Sequence, residues 1–236
     1  YTYNDSEQIT STRINDSRGM ERSIHQSYLA DLDDSSLSAV HLSMKRKNIT
    51  NNPLYEEERR GTQTLTRWTY SYIQPAASQH PDLYRVGTVS ETDVLTGESS
   101  TITYRYDNEG RLLQKTDGLG RSTVYIWGYG GLYPVAVIAN CTLAQVSAIS
   151  GLSAISTSPL SADASQYASA LRAISGAEVT LYQYMPLIGL TKEITPDGKE
   201  ISYSYNAAGK LHQVLDDLGR NQSTTLYSTE NKSSSL

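Results

Sequence analysis

Carboxylates come first among the groups able to do chemistry. Asp107, Asp117, Asp197, Asp216 and Asp217 could supply the acid and base of a glycosidase, whose two carboxyls sit about 5 to 10 Å apart. Their positions repeat, however, in stretches with the composition of turns, where such an oxygen caps backbone amides instead of attacking a substrate. Calcium on Asp216 and Asp217 would need the spaced oxygen ligands of an EF-hand, which this stretch lacks. His25, His41, His80 and His212 are scattered, with no second histidine at metal-ligand spacing, and read as structural or surface side chains. Cys141, the single cysteine, lies in no nucleophile context and excludes an intrachain disulfide. Gly118-Leu119-Gly120 and Gly128-Tyr129-Gly130-Gly131 are followed neither by a Lys-Ser/Thr pair nor by a helix start, so they are turn glycines, not a phosphate cradle. A protein without catalysis, cofactor or metal is expected. Trp127, Tyr129 and Tyr133 remain as candidate ligand-binding residues, able either to stack on sugar rings or to pack a corner of the fold.

The elements that would position these groups show as an internal repeat. Tyr104-Arg105-Tyr106-Asp107 to Gly110-Arg111-Leu112, continuing to Asp117 and Leu119-Gly120-Arg121, recurs as Tyr203-Ser204-Tyr205-Asn206 to Gly209-Lys210-Leu211, continuing to Asp216 and Leu218-Gly219-Arg220, offset by 99 residues. Tyr125 follows Tyr104 by 21 residues and Tyr182 precedes Tyr203 by the same 21, which sets the unit length. Tyrosines two apart project from one face of a strand, and Asp107 to Gly110 has turn chemistry, so each unit predicts a hairpin. Asn206 keeps the turn role of Asp107. Strands are expected over 64–73, 83–91, 99–106, 111–116 and 122–127, with a loop at 76–81. Between the copies, 143–149 and 164–174 read as two short helices, with Asp163 as N-cap, Gly176 as stop, Pro159 as separator and an exposed, mobile linker over 150–158. The charge run Glu56 to Arg60 reads as a solvated face.

The expected organisation is a segment 1–60 that begins in a strand and otherwise shows no pattern, a β-rich repeat region 61–139, a two-helix excursion 140–178, repeat hairpins 179–228 and a flexible tail 229–236. With 236 residues the chain can bury a sizeable core. Its rings are 18 Tyr and 2 Trp with no Phe, so nearly every ring carries a polar atom that wants a partner. A net charge of −5 offers no field for phosphate backbones, and nucleic acid is not an expected partner. No apolar stretch approaches the roughly 20 residues of a membrane-spanning helix. The start Tyr1-Thr2-Tyr3-Asn4, without Met or signal peptide, leads us to expect a piece of a longer protein.

The pattern YxYDxxGRLxxxxDxxG resembles the RHS or YD repeat. Tyr125-Ile126-Trp127-Gly128-Tyr129 through Tyr133-Pro134 to Asn140 is similar to a linker motif of long RHS-repeat proteins of Bacteroidetes. Thr180-Leu181-Tyr182-Gln183-Tyr184-Met185-Pro186 and Thr195-Pro196-Asp197-Gly198 fit the same family. The resemblance spans roughly residues 40 to 228 and implies the C-terminal part of a longer polypeptide. It further implies a curled antiparallel sheet of hairpins, mainly β, which in complete members closes around a cargo polypeptide. Its structural positions fall here on Tyr104, Tyr106, Asp107, Gly110, Leu112, Gly120, Tyr182, Tyr184, Tyr203, Tyr205, Asn206, Gly209, Leu211 and Gly219. Self-cleaving members carry a DPxGL-type motif that Thr195-Pro196-Asp197-Gly198-Lys199 lacks, so neither self-cleavage nor toxicity is expected. The resemblance thus implies a structural protein of the cell surface, outer membrane or exterior, partnered by another protein or by the rest of its parent. A surface carbohydrate-binding module using Trp127, Tyr129 and Tyr133 on a glycan is the alternative.

Overall fold

Runs of Tyr, Thr and aliphatic residues broken at short intervals by Asn, Asp and Gly favour strands that meet their immediate chain neighbours. The computed structural model describes residues 1–76, 78–157 and 164–225. The chain is mainly β and forms two compact units, Tyr1–Ser122 and Thr123–Leu236.

In the first unit β1 (Thr2–Tyr3), β2 (Ile9–Asn15), β3 (Glu21–Tyr28), β4 (Pro53–Arg60), β5 (Gln63–Ile73), β6 (Arg85–Asp93), β7 (Ser99–Tyr106) and β8 (Leu112–Thr116) pair antiparallel in sequence order. The second repeats this plan with β9 (Ser122–Gly128), β10 (Tyr133–Ala139), β11 (Glu178–Met185), β12 (Gly189–Ile194), β13 (Glu200–Tyr205), β14 (Leu211–Leu215) and β15 (Asn221–Thr224).

One hairpin connection in each unit is enlarged into a helical cap. Between β3 and β4 lie two short 3-10 turns and α1 (Ala39–Arg46), in the stretch where no element is expected from the sequence. Ser38 caps α1 by accepting the His41 N–H, Lys45 and Arg46 occupy its last turn, and Asn48 leaves it at φ 58. Leu29, Met44, Leu54, Tyr72 and Tyr84 form the core beneath it. Between β10 and β11 lie α2 (Leu143–Ser147), 3-10 turns at Leu152–Thr157 and Ala164–Tyr167, and α3 (Ala168–Arg172). A Thr142 and Gln145 capping box opens α2.

Two expectations need correction. The span 150–158, expected to be an exposed linker, carries Leu152 and Ile155 buried in the core with Val124, Ile138, Leu171, Val179 and Leu181. Spacing hid this, because a 3-10 turn does not produce the helical period. The run Glu56 to Arg60, expected to be solvated, contains Glu57 at 3% exposure. Arg59 Nε and Arg67 Nε donate to its two oxygens at 3.0 and 2.7 Å, so the carboxylate is shielded by the cations that neutralise it. Ser158, Pro159, Asp163 and the tail 229–236 lie outside the described residues.

Candidate functional site

The chemically suggestive aspartates serve the turns. At Asn4, Asp16, Asp107, Asp117, Thr195, Asn206 and Asp216 the hairpin closes in one way: the residue's N–H donates to the carbonyl four positions on, and the N–H three positions on donates back. The third residue on has positive φ at every one of them, and is glycine except for Glu7. At the six Asn and Asp positions Oδ1 accepts the amides two and four residues ahead. In Asp107, Asp117 and Asp216 the second oxygen accepts from Arg111, Arg121 and Arg220, so the arginine after the glycine locks the turn's own aspartate.

Asp197, Asp216 and Asp217 do meet, around a surface hollow of 480 Å³ shared with Glu200, Tyr203 and Gln222. Lys199 and Thr195 hold the Asp197 carboxyl down at about 2. For Asp216, burial pushes upward but the Arg220 and Leu218 amides and the Arg220 guanidinium outweigh it, leaving the carboxyl below its ordinary value. A glycosidase acid needs the opposite shift. Cys141 is buried, its thiol pushed up to about 11 by that burial, which keeps it a poor nucleophile. Among the described residues no group of three or more His, Cys, Asp and Glu side chains converges as a metal site.

The tyrosines carry the more informative geometry. In seven hairpins the last aromatic of the outgoing strand, Tyr3, Tyr28, Tyr72, Tyr106, Trp127, Tyr184 or Tyr205, stands beside a bulge in the returning strand. A bulge frees a backbone carbonyl. Four times the hydroxyl of a later aromatic takes it: Tyr28 donates to Ile9 O (3.1 Å), Tyr72 to Pro53 O (2.7 Å), Tyr106 to Val86 O (2.9 Å) and Tyr205 to Leu190 O (2.8 Å). Ile9, Pro53, Val86 and Leu190 are the register partners of Tyr3, Tyr28, Tyr72 and Tyr184, so each tyrosine seals the hairpin before its own.

Of the other repeat positions, Tyr104 stacks on Tyr106 at 6.5 Å between centroids, Tyr182 lies at 6.5 Å from Tyr184, and Tyr203 donates to Glu193 Oε2 at 3.2 Å. Leu112 and Leu211 pair with Tyr106 and Tyr205 at the bulges, while Gly110, Gly120, Gly209 and Gly219 take the positive-φ turn position. Tyr3, Tyr28 and Tyr72 escape a search on spacing, because the cap between β3 and β4 and the long β5 to β6 connection stretch the 21-residue unit. The visible signal was the Tyr-x-Tyr of Tyr1 to Tyr3 and Tyr70 to Tyr72.

The proposed sugar platform does not assemble. Tyr129 is buried, donating its hydroxyl to Tyr184 O at 3.0 Å and accepting from Tyr184 N–H at 2.9 Å. Tyr133 spends one ring face on Tyr184, stacked at 4.6 Å. Trp127 alternates with the buried Val124 and Ile126 and so points to the other side of β9 from the core that holds Tyr129.

No protein-family profile and no curated protein matches the chain. Among solved structures it is similar over 96% of its length to a crystal structure of TcdB2-TccC3-TEV, at 13% identity and a TM-score of 0.42, covering 12% of that chain. The same 12% share of a TcdB2-TccC3 crystal structure without the hypervariable C-terminal region is matched by 93% of this chain at 12% identity and a TM-score of 0.39. A Photorhabdus luminescens Tc holotoxin pore structure gives 93% coverage, 12% identity and a TM-score of 0.38. The chain therefore spans about an eighth of the chains it matches, and these scores carry no assignment of function.

Proposed function

We propose that this chain is part of an RHS/YD-repeat β-scaffold, a non-enzymatic protein that packs against or encloses another polypeptide in a secreted or cell-surface assembly. The observation that carries the reading is the relay of tyrosine hydroxyls, in which four of the hairpins are sealed by a tyrosine of the next one along the chain. Such a device stiffens a sheet of any length, which suits a wall better than a pocket. Asp107, Asp117, Asp197 and Asp216 are committed to turns, and β1 and β15 each have one partner strand among the described residues. An edge of that kind is normally covered by another chain or by more of its own. The Bacteroidetes-type placement, as the C-terminal part of a longer parent, rests on the motifs around Tyr125 to Asn140 and Thr180 to Gly198.

Native mass spectrometry of gently isolated material, with peptide mapping of everything that travels with the chain, tests this reading. A companion polypeptide or a longer parent is the expected result. A stable monomer of 26.0 kDa with no companion would overturn it.

A further inference from the structure

Ser11 is 4% exposed, and among the described residues its Oγ is the one buried side-chain nitrogen or oxygen without a hydrogen-bond partner. Such a group costs stability unless some state of the molecule uses it. Its neighbours identify that state. β2, β3 and β4 place Ser11, His25 and Glu57 in one register row on one face, and Arg13, Ser23 and Arg59 in the next row of the same face. His25 is therefore faced by Ser11 and Arg13 from β2, by Glu21 and Ser23 on its own strand, and by Glu57 and Arg59 from β4, with Arg67 of β5 paired to Glu57.

The far nitrogen of the His25 ring is already placed: Nε2 lies 3.1 Å from Ser23 Oγ, two residues back along β3. A neutral imidazole carries a single N–H, whereas an imidazolium carries two and needs two acceptors. Nδ1 adjoins the ring carbon that bears the stem of the side chain, so it stays close to the residues directly across the ladder. Facing Cβ atoms are only about 4.5 to 5.5 Å apart, which lets a small rotation bring Nδ1 and a facing side-chain oxygen to hydrogen-bond distance. Two residues face His25 in this way. Glu57 spends its two oxygens on Arg59 and Arg67, at 3.0 and 2.7 Å. Ser11 spends nothing.

We propose that Ser11 is the acceptor reserved for protonated His25, and that the two close a clasp between β2 and β3 when the medium turns acid. In the neutral form Nε2 and Ser23 hold the ring to its own strand. Once the ring takes up a proton, Nε2–H donates to Ser23 Oγ and Nδ1–H donates across the ladder to Ser11 Oγ, so one side chain ties two strands together. The charges around the ring oppose this step. Burial, Arg59 and Arg13 disfavour the proton and outweigh Glu57 and Glu21, which puts the His25 pKa below its ordinary 6.5. Ser11 works against them, because a charge taken up at this half-buried place is then not also left with an unmade bond. The clasp thus limits the loss of stability in acid without abolishing it. It matters most for β2, whose other neighbour, β1, is only two residues long.

An NMR titration of the histidine ring signals in the full chain, from about pH 8 to about pH 4.5, tests the clasp. His25→Gln assigns the His25 signal, and wild type is compared with Ser11→Ala and with Thr12→Ala, whose hydroxyl belongs to the opposite face of β2. Ser11→Ala is expected to weaken proton binding at His25 by about tenfold, the lower end of what a hydrogen bond to a charged group contributes, and Thr12→Ala to leave it unchanged. At the alkaline end Ser11→Ala should keep or raise the urea midpoint, since alanine removes a hydroxyl that nothing pairs with, whereas Ser23→Ala lowers it. A further readout needs no substitution: at the acid end of the wild-type titration the Nδ1 proton of His25 should exchange slowly with solvent. An unchanged His25 titration in Ser11→Ala, an equal change in Thr12→Ala, or a fast-exchanging Nδ1 proton would each overturn the proposal. A lowered alkaline midpoint in Ser11→Ala would overturn it as well, because Ser11 would then have a partner while His25 is neutral.

Discussion

The two units use one hairpin plan and stabilise it by different means. In the second, the cap between β10 and β11 covers an aliphatic face, and Val124, Ile138, Leu171 and Val179 are almost fully buried. In the first, the cap between β3 and β4 covers a smaller core around Leu29 and Met44. Much of the opposite sheet face is polar there: the row Ser11, His25, Glu57, Arg67 crosses four strands, and Ser71 with Thr88 and Ser90 with Thr101 join hydroxyls across others. Register and burial are thus separable. Turns and tyrosine relays set which strands meet, and the caps decide how much apolar surface leaves water.

The contrast can be broken most forcefully at the caps. Leu171→Ala is expected to destabilise the second unit by about 3 to 5 kcal/mol and Met44→Ala the first by about 2 to 4, read by denaturant titration with amide exchange to locate the loss. Equal loss of protection throughout the chain from either change would dissolve the distinction. Next comes Gly110→Val, because Gly110 combines φ 76 with a Cβ position only 2.9 Å from Leu83 Cδ2, whereas Gly120 at φ 80 faces open space. Roughly 2 to 4 kcal/mol is expected for Gly110→Val and about 1 for Gly120→Ala, measured by the same titration.

Smaller effects sharpen the comparison. Glu57→Gln strips the charge from the carboxylate shared by Arg59 and Arg67 and is expected to cost the first unit about 1 to 3 kcal/mol. Tyr106→Phe should cost about 1 kcal/mol by leaving Val86 O unpaired, with amide exchange rising at the β6 bulge before anywhere else.

Acid separates the units last. Burial, then Arg59 and Arg13, with Glu57 and Glu21 opposing, lowers the His25 pKa, and burial lowers that of His41. A histidine with a lowered folded pKa contributes stability that is complete above its ordinary value and is lost as pH falls below it. Amide protection in β2 to β4, taken relative to the intrinsic exchange rate at each pH, should therefore fall as pH drops below 6.5. Asp197 and Asp216, whose carboxyls are held down, contribute above the ordinary carboxylate value and lose that contribution only as pH falls below 3.8. Exchange at Gly198 and Gly219 that tracked β2 to β4 would contradict this ordering.

How much of this was legible depended on chain distance. Asp107 to Gly110 and Asn206 to Gly209 announce their turns because donor, acceptor and glycine lie within five residues. The strands 63–73 and 99–106 are equally plain from alternation. The relay was hidden because Tyr72 and Pro53 are 19 positions apart and the enlarged connections destroy a fixed period. The first cap stayed unread although Ser38, Lys45, Arg46 and Asn48 mark both ends of α1, since its eight residues give barely two turns of apolar rhythm. Trp127, singled out for sugar stacking, stands at the bulge position that tyrosine holds in the other hairpins, a role visible only once strands are paired.

The strictly sequential pairing within each unit also governs how the molecule answers to mechanical load. Since among the described residues no strand is clamped between two distant ones, tension drawn along the chain peels a unit one hairpin at a time instead of shearing it in a single event. Each step would pay out about 20 residues, the two strands and turns of one unit at roughly 3.3 Å per residue. The force record should show its tallest peaks where a capped hairpin gives way.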